Sequence, residues 1–186
     1  MKETDEEIFG RFQKTSGNDD LKILLERYRE ELTFFLFGIV KNMEDAEDLM
    51  LEAFATIASG TAKFSGKSSF KTWLFGIARN LAANSMRKKH FSFSSFDEGT
   101  DEEGTEEVMP DVALLNEERN RILYAALKNI NSEYRHVLHL LYFEKMEIEE
   151  IALILKKSKK QVYNLLNRGR QTLKAELEST GYTFWE

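Results

Sequence analysis

The 186-residue chain has no cysteine, one proline and ten glycines, and each scarcity removes a class of answer. Without cysteine there is no disulfide framework, no thiolate zinc site and no thiol nucleophile, which suits a reducing cytoplasm. With a single proline, long segments are free to be helical. No apolar run approaches a bilayer span. The longest, Leu32 to Val40, is interrupted by Thr33 and Gly38 and reaches about half of the ~20 residues required, so no membrane insertion is expected. The opening residues are acidic and do not read as a signal peptide. There is no Gly-rich phosphate cradle and no nucleophile motif. His136 and His139 have no third ligand of clear geometry near them, so packing or surface exposure explains them better than metal. No enzymatic step, cofactor or metal is expected.

What is present is charge sorted into blocks. The 32 acids and 26 bases give a net charge of −6, which in an evenly mixed protein would argue against nucleic acid as a partner. The mean is misleading here. Residues 43–62 carry Glu44, Asp45, Glu47, Asp48 and Glu52 and no base, while residues 53–96 carry seven Lys/Arg and no acid. Ten acids follow over 97–118, and then seven Lys/Arg without an acid over 151–175. The 42% apolar and 31% charged content is that of a globular protein rather than a disordered one.

Periodicity organises the chain around 64–90. Phe70, Trp73, Leu74, Ile77, Ala78, Leu81 and Ala82 form one face of a helix, with a Gly/Ser loop before it and Arg87, Lys88 and Lys89 at its end. Upstream, residues 1–20 predict at most a loosely held helix around Ile8, Phe9 and Phe12. From Leu21 to Ile39 apolar residues hold helical spacing for five turns. Asn42 with Asp45 predicts a helix start, Ala46, Leu49, Met50, Ala53, Phe54 and Ile57 mark its buried face, and Gly60 ends it. Glu44 and Asp45 complement the dipole of that helix, whereas Asp48 and Glu52 lie too far along for the dipole to explain them and read as a contact surface for a basic partner.

Residues 91–113 are acidic, rich in Gly, Ser and Thr, and longer than an intradomain loop, so they read as a linker. A solvated tether is the simpler interpretation, and imitation of a nucleic-acid backbone the sharper one. Beyond it, Leu115 to Ile130 mark a helix, Asn131-Ser132 caps another, and Ile148 to Leu155 form a short third. Ser158 with Gln161 is a capping-box pair opening a last helix that buries Val162, Leu165, Leu166 and Leu173. A short helix, a tight turn and a basic helix predict a helix-turn-helix, with Lys159, Lys160, Gln161, Tyr163, Asn164 and Asn167 placed for base edges and Arg168, Arg170 and Lys174 for phosphate.

Taken together, four stretches resemble the sigma-70 family of transcription initiation factors, in its extracytoplasmic-function (ECF) group. MEDAEDLMLEAF resembles the helix that docks on the clamp of the polymerase's largest subunit. FSGKSSFKTWLFGIARNLAANSMRKK resembles the promoter-melting and minus-ten-reading segment. SEYRHVLHLLYFEKMEIEEIALIL resembles the start of the second domain, and KKSKKQVYNLLNRGRQTLKAEL the minus-thirty-five recognition helix. Asn84, Ser85, Glu147, Lys156 and Leu165 depart from the family's usual residues, which bears on which promoter is read.

The resemblance implies an all-α fold of two small helical domains, 1–90 and 114–186, joined by a flexible acidic linker at 91–113, the second containing the helix-turn-helix. It implies core RNA polymerase (clamp of the largest subunit, flap of the second), duplex and melted promoter DNA, and an anti-sigma factor as partners. Asp45, Asp48, Leu49 and Glu52 would bind core polymerase. Lys63, Phe64, Lys67, Ser69, Lys71, Trp73, Arg79, Asn80, Asn84, Arg87 and Lys88 would meet minus-ten DNA. Ser158, Lys159, Lys160, Gln161, Tyr163, Asn164, Asn167, Arg168 and Arg170 would meet minus-thirty-five DNA. In the melting segment, Phe64 to Ser69 would capture an unstacked base, with Phe64 either a pocket wall or a core anchor for the loop. A helix-turn-helix regulator acting on duplex DNA alone is the competing reading, and it leaves the first half of the chain unexplained.

Overall fold

A computed structural model describes residues 3–15, 17–94 and 118–179. Among these the chain is helical throughout: α1 (Asp5–Thr15), α2 (Asn18–Val40), α3 (Met43–Ala58), α4 (Phe70–Ser94), α5 (Glu118–Asn129), α6 (Ser132–Tyr142), α7 (Ile148–Leu155) and α8 (Lys159–Ser179). The helices fall into two compact units, the first of α1 to α4 and the second of α5, α6, most of α7 and α8. Helix α4 continues to Ser94, four residues past His90. The rest of the acidic stretch, with Leu115, lies outside the described residues.

In the first unit α2 is the central helix, packed against α1, α3 and α4. Leu24, Leu32, Phe35 and Leu36 are fully buried, and side chains of that size contribute about 1.5–3 kcal/mol each when removed from water. Asn42 caps α3 as expected, its Oδ1 accepting the Asp45 amide at 2.7 Å. Phe75 is fully buried against Phe35, with centroids 5.2 Å apart, although it stands at the edge of the apolar stripe read from the sequence.

Helix α1 differs from the loosely held segment expected. Ile8 and Phe9 are buried at 1% and 2% exposure, and Phe12 is buried beside them. Asp5 accepts hydrogen bonds from both Arg27 and Tyr28 of α2. Burial, reinforced by the Asp5 carboxylate, pushes the Tyr28 hydroxyl well above its usual range, so the phenol stays a donor. Arg11 reaches Asp20 at 2.7 Å. The Asp5–Arg27 and Arg11–Asp20 ion pairs tie α1 to α2 and add to the hold of its three buried apolar side chains.

In the second unit α8 packs on α5 and α6. Arg135 of α6 donates to the carbonyls of Leu127, Lys128 and Ile130, closing the C-terminal end of α5 where carbonyls lack helical partners. Val162 and Leu166 are buried as expected, while Leu165 and Leu173 are half-buried. Gly169 and Leu177 complete the buried face of α8. A Cβ on Gly169 would stand 3.2 Å from the Tyr134 Cβ and 3.3 Å from Leu138 Cδ1, so glycine permits the close approach of α6 and α8. His139 is buried, pairs with Glu144 at 3.0 Å and stacks on Phe143, and no metal-competent cluster occurs among the described residues.

Candidate nucleic-acid interface

The loop between α3 and α4 turns at two glycines with positive φ, Gly60 (+68°) and Gly66 (+69°), where a side chain would be strained. Phe64 is its aromatic residue, half-buried and packed on Trp73 (centroids 5.0 Å), Phe9 (5.7 Å) and Phe70 (6.3 Å). The ring therefore anchors the loop. It also lines a cleft of about 450 Å³ with Phe9, Phe12, Gln13, Ile57, Ala62 and Lys63. Ser69 caps α4: its Oγ accepts the Thr72 amide at 3.2 Å and meets Thr72 Oγ1 at 2.7 Å. The Phe70 amide is held by a carboxylate from elsewhere, donating to Glu6 Oε1 at 2.7 Å.

Along the α3–α4 loop and α4 the sequence-predicted residues separate into two groups. Lys63, Lys67, Asn84, Arg87 and Lys88 are exposed, and Arg79, Asn80 and Trp73 are half-buried. Arg87 donates to Asn84 Oδ1 at 2.5 Å, which orients both side chains on one surface. Lys71 instead pairs with Glu31 at 3.1 Å and lies over the rings of Tyr28 and Phe75, so its charge is spent inside the unit. Lys89 similarly pairs with Asp45 of α3.

On α3, Asp48 and Glu52 are exposed while Leu49 is buried at 6% exposure. Leu49 packs, and only its edge lines a shallow cleft of about 580 Å³ with Glu52, Leu81, Asn84, Ser85, Arg87 and Lys88. One wall of that cleft is acidic and the other basic.

In the second unit, α7 ends in a left-handed residue, Lys156 (φ +53°), with the Lys157 amide bonded to the Ala152 carbonyl at 3.0 Å. That bond closes a Schellman turn in which glycine would be the least strained residue. The capping box at the start of α8 is formed: Ser158 N–H donates to Gln161 Oε1 at 2.8 Å, and Gln161 N–H to Ser158 Oγ at 3.3 Å. Both side chains are thereby committed to the turn. Opposite the buried face of α8, Lys160, Tyr163, Asn164, Asn167 and Arg168 are exposed. Lys159 pairs with Glu149 of α7, and that hydrogen bond raises the lysine's pKa and lowers the glutamate's. Arg170 Nε donates to the Tyr142 hydroxyl at 2.7 Å, with the guanidinium 5.7 Å from the ring centroid.

Two helical units, one with an aromatic-backed loop beside a basic helix and one with a capped helix-turn-helix, define a nucleic-acid-binding protein. Comparison with known proteins makes the class specific. The sigma-70 region 2 model matches residues 24–91 and the sigma-70 region 4 model residues 120–173. The chain is 30% identical to the ECF RNA polymerase sigma factor SigX of Bacillus subtilis, over 86% of this chain and 84% of that protein. It is 32% identical to the RNA polymerase sigma factor YlaC of the same organism, over 86% and 92%. In structure it is similar to CnrH, solved in complex with the cytosolic domain of CnrY (TM-score 0.67, 19% identity, 95% and 99% of the two chains). A second neighbour is RpoE of Bartonella quintana, solved with the anti-sigma factor NepR (TM-score 0.66, 21% identity, 86% and 97%). The chain belongs to the sigma-70 family of RNA polymerase sigma factors, in its ECF group.

Sequence reasoning read Phe9 and Phe12 only as apolar residues of a loosely held helix and did not single out Glu6 or Gln13. Nothing in their local pattern ties them to a loop more than fifty residues away. The one available signal was the placement of two phenylalanines in a segment otherwise almost wholly polar.

Proposed function

We propose that this chain acts as an alternative sigma factor through three surfaces, with the 1–90 region docking on core RNA polymerase and opening the minus-ten element and the 114–186 region reading the minus-thirty-five element. The 91–113 stretch tethers the two. Asp48 and Glu52, exposed on α3, meet the clamp of the largest subunit, and Leu49 holds them in register from beneath. The cleft lined by Phe64 and Lys63 receives a base taken out of the stack, and Asn80, Arg79, Asn84, Arg87 and Lys88 follow the strand along α4. The exposed face of α8 enters the major groove: Lys160, Tyr163, Asn164 and Asn167 at base edges, Arg168 and Arg170 at phosphates. Ser69, Ser158 and Gln161 act by shaping their turns, and Lys71 by fixing α4 to α2. The partners are core polymerase, promoter DNA and an anti-sigma factor; the location is the cytoplasm, and the chain itself carries out no catalytic step. No described helix is long and apolar enough to cross a membrane.

The observation that carries this reading is the cleft beside Phe64, since a regulator that only grips duplex DNA has no use for a recess edged by a half-buried aromatic ring in a loop that turns at left-handed glycines. Opening costs a few kcal/mol per base, and stacking in such a recess returns ~1–3 kcal/mol. Phe64→Ala and Asn80→Ala should therefore slow transcription from a duplex promoter several-fold to about a hundredfold. On a template already mismatched around the minus-ten element much of that loss should disappear. Equal defects on both templates would remove the cleft from the mechanism.

A further inference from the structure

The N-terminal helix lends side chains to the lining of the cleft, and Phe9 and Glu6 also hold the α3–α4 loop itself. Phe9 packs on Phe64, Phe70 and Trp73, with centroids 5.7, 5.1 and 5.4 Å apart. Glu6 accepts the backbone N–H of Phe70, the first residue of α4, across 64 positions of sequence. That amide is one of the four at a helix start with no partner inside the helix, and Ser69 caps a different one, at Thr72. A carboxylate there also faces the positive end of the α4 dipole. The loop from Thr61 to Ser69 is thus held at its aromatic middle by Phe9 and at its exit by Glu6. Helix α1 is itself held to α2 by Asp5 and Arg11. The cleft beside the loop takes Phe9, Phe12 and Gln13 from α1 as part of its lining.

We propose that Glu6 is a positioning residue for promoter opening: its carboxylate sets the junction of loop and α4 before DNA arrives, so that helix α1 preorganises the loop. This rests on the reading of the Phe64 loop as the base-capturing element. Glu6 touches no DNA in this scheme. Its effect is to spare the loop an ordering cost that would otherwise fall at the moment a base is captured.

The test uses the full chain in two readouts. In hydrogen exchange, Glu6→Ala should speed exchange of amides at 66–71 while the middle of α4 and all of α8 stay unchanged, and Glu6→Gln, which keeps an acceptor oxygen, should restore most of the protection. In reconstituted transcription with core polymerase, Glu6→Ala should open a duplex promoter roughly two- to tenfold more slowly, the range expected for one lost hydrogen bond. Core affinity and minus-thirty-five binding should remain near the parent's, the melting temperature should fall by no more than the few degrees one lost hydrogen bond costs, the pre-opened template should rescue, and Glu6→Gln should behave like the parent. Unchanged exchange at 66–71, or a Glu6→Gln defect as large as that of Glu6→Ala, overturns the positioning role. Phe64→Ala run in parallel separates the two levels. If Phe64→Ala slows opening and Glu6→Ala does not, the positioning role alone is wrong. If Glu6→Ala loosens the loop but neither variant slows opening, the base-capture reading is the one that fails.

Discussion

Gly169 sits on the buried face of α8, where a substitution can disturb the proposed DNA reading without touching any of the exposed side chains assigned to it. An alanine Cβ there would lie 3.2 Å from Tyr134 Cβ and 3.3–3.4 Å from two atoms of the Leu138 side chain. Tyr134 and Leu138 must shift a few tenths of an ångström, a strain partly offset by the ~1 kcal/mol alanine gains over glycine in a helix. Gly169→Ala should therefore fall within about 1 kcal/mol of the parent. Valine adds two further methyl groups where the α6 side chains already stand, and overpacking of that kind costs about 1–3 kcal/mol. In a unit of this size each kcal/mol moves the melting temperature by about 4–8 °C, so Gly169→Val should melt roughly 5–20 °C lower. Circular dichroism melts, followed by binding to a minus-thirty-five duplex, provide the assay. Below its melting point Gly169→Val should bind more weakly on every sequence, because α8 is lifted off α6. Asn164→Ala should show the reverse, with an unchanged melt and altered base preference. A Gly169→Val protein as stable as the parent would refute the close α6–α8 packing on which the orientation of the exposed face of α8 depends.

Lys156 holds a left-handed conformation that glycine adopts without strain, so Lys156→Gly should raise stability by up to about 1 kcal/mol in denaturant melts, and a loss would mean the Schellman turn is misassigned. Glu149 pairs with Lys159 in the helix-turn-helix, so Glu149→Gln should free one cation for the DNA and steepen the salt dependence of duplex binding by about 0.9 in log–log slope; an unchanged slope would leave Lys159 without a phosphate contact, as its expected place at base edges requires. The same pair gives a pH effect. The Glu149 pKa is lowered in the folded chain, so its contribution is present above the unfolded value and is lost as pH falls through the folded one, which Glu149→Gln should abolish. Reversing both Asp48 and Glu52 to Lys should weaken competition with another sigma factor for core polymerase while leaving the melt nearly unchanged, since both are exposed; unaltered competition would move the docking surface elsewhere.

Helices α2, α3, α4 and α8 were legible because apolar residues at helical spacing and capping pairs are local signals. Asn42 with Asp45 and Ser158 with Gln161 are read within four residues, and both capping hydrogen bonds form. What escaped was every tie made across the chain. Lys71 looked DNA-facing by its place in a basic block, but Glu31 and two aromatic rings hold it. Lys89 and Asp45, drawn from blocks of opposite sign, partly cancel each other. Leu49, read from its spacing as part of the buried face of α3 and from the resemblance as a polymerase contact, is buried as the spacing predicts, because position i+1 on a helix faces away from the exposed Asp48. The hold of α1 on the loop, through Glu6 and Phe9, depends on a fold that only α2 assembles. Charge blocks mark where acids and bases concentrate along the chain, while which individual cations stay exposed and which pair inside a unit required coordinates.

The most direct measurement combines the full chain with core RNA polymerase and genomic DNA and sequences the 5′ ends of the transcripts made. The expected result is a set of new start sites, absent without the chain, that share two upstream elements near minus ten and minus thirty-five, with the upstream one altered by Asn164→Ala and starts reduced by Phe64→Ala. No new starts, together with tight sequence-specific duplex binding by the free chain, would contradict the sigma mechanism and leave a helix-turn-helix regulator in its place.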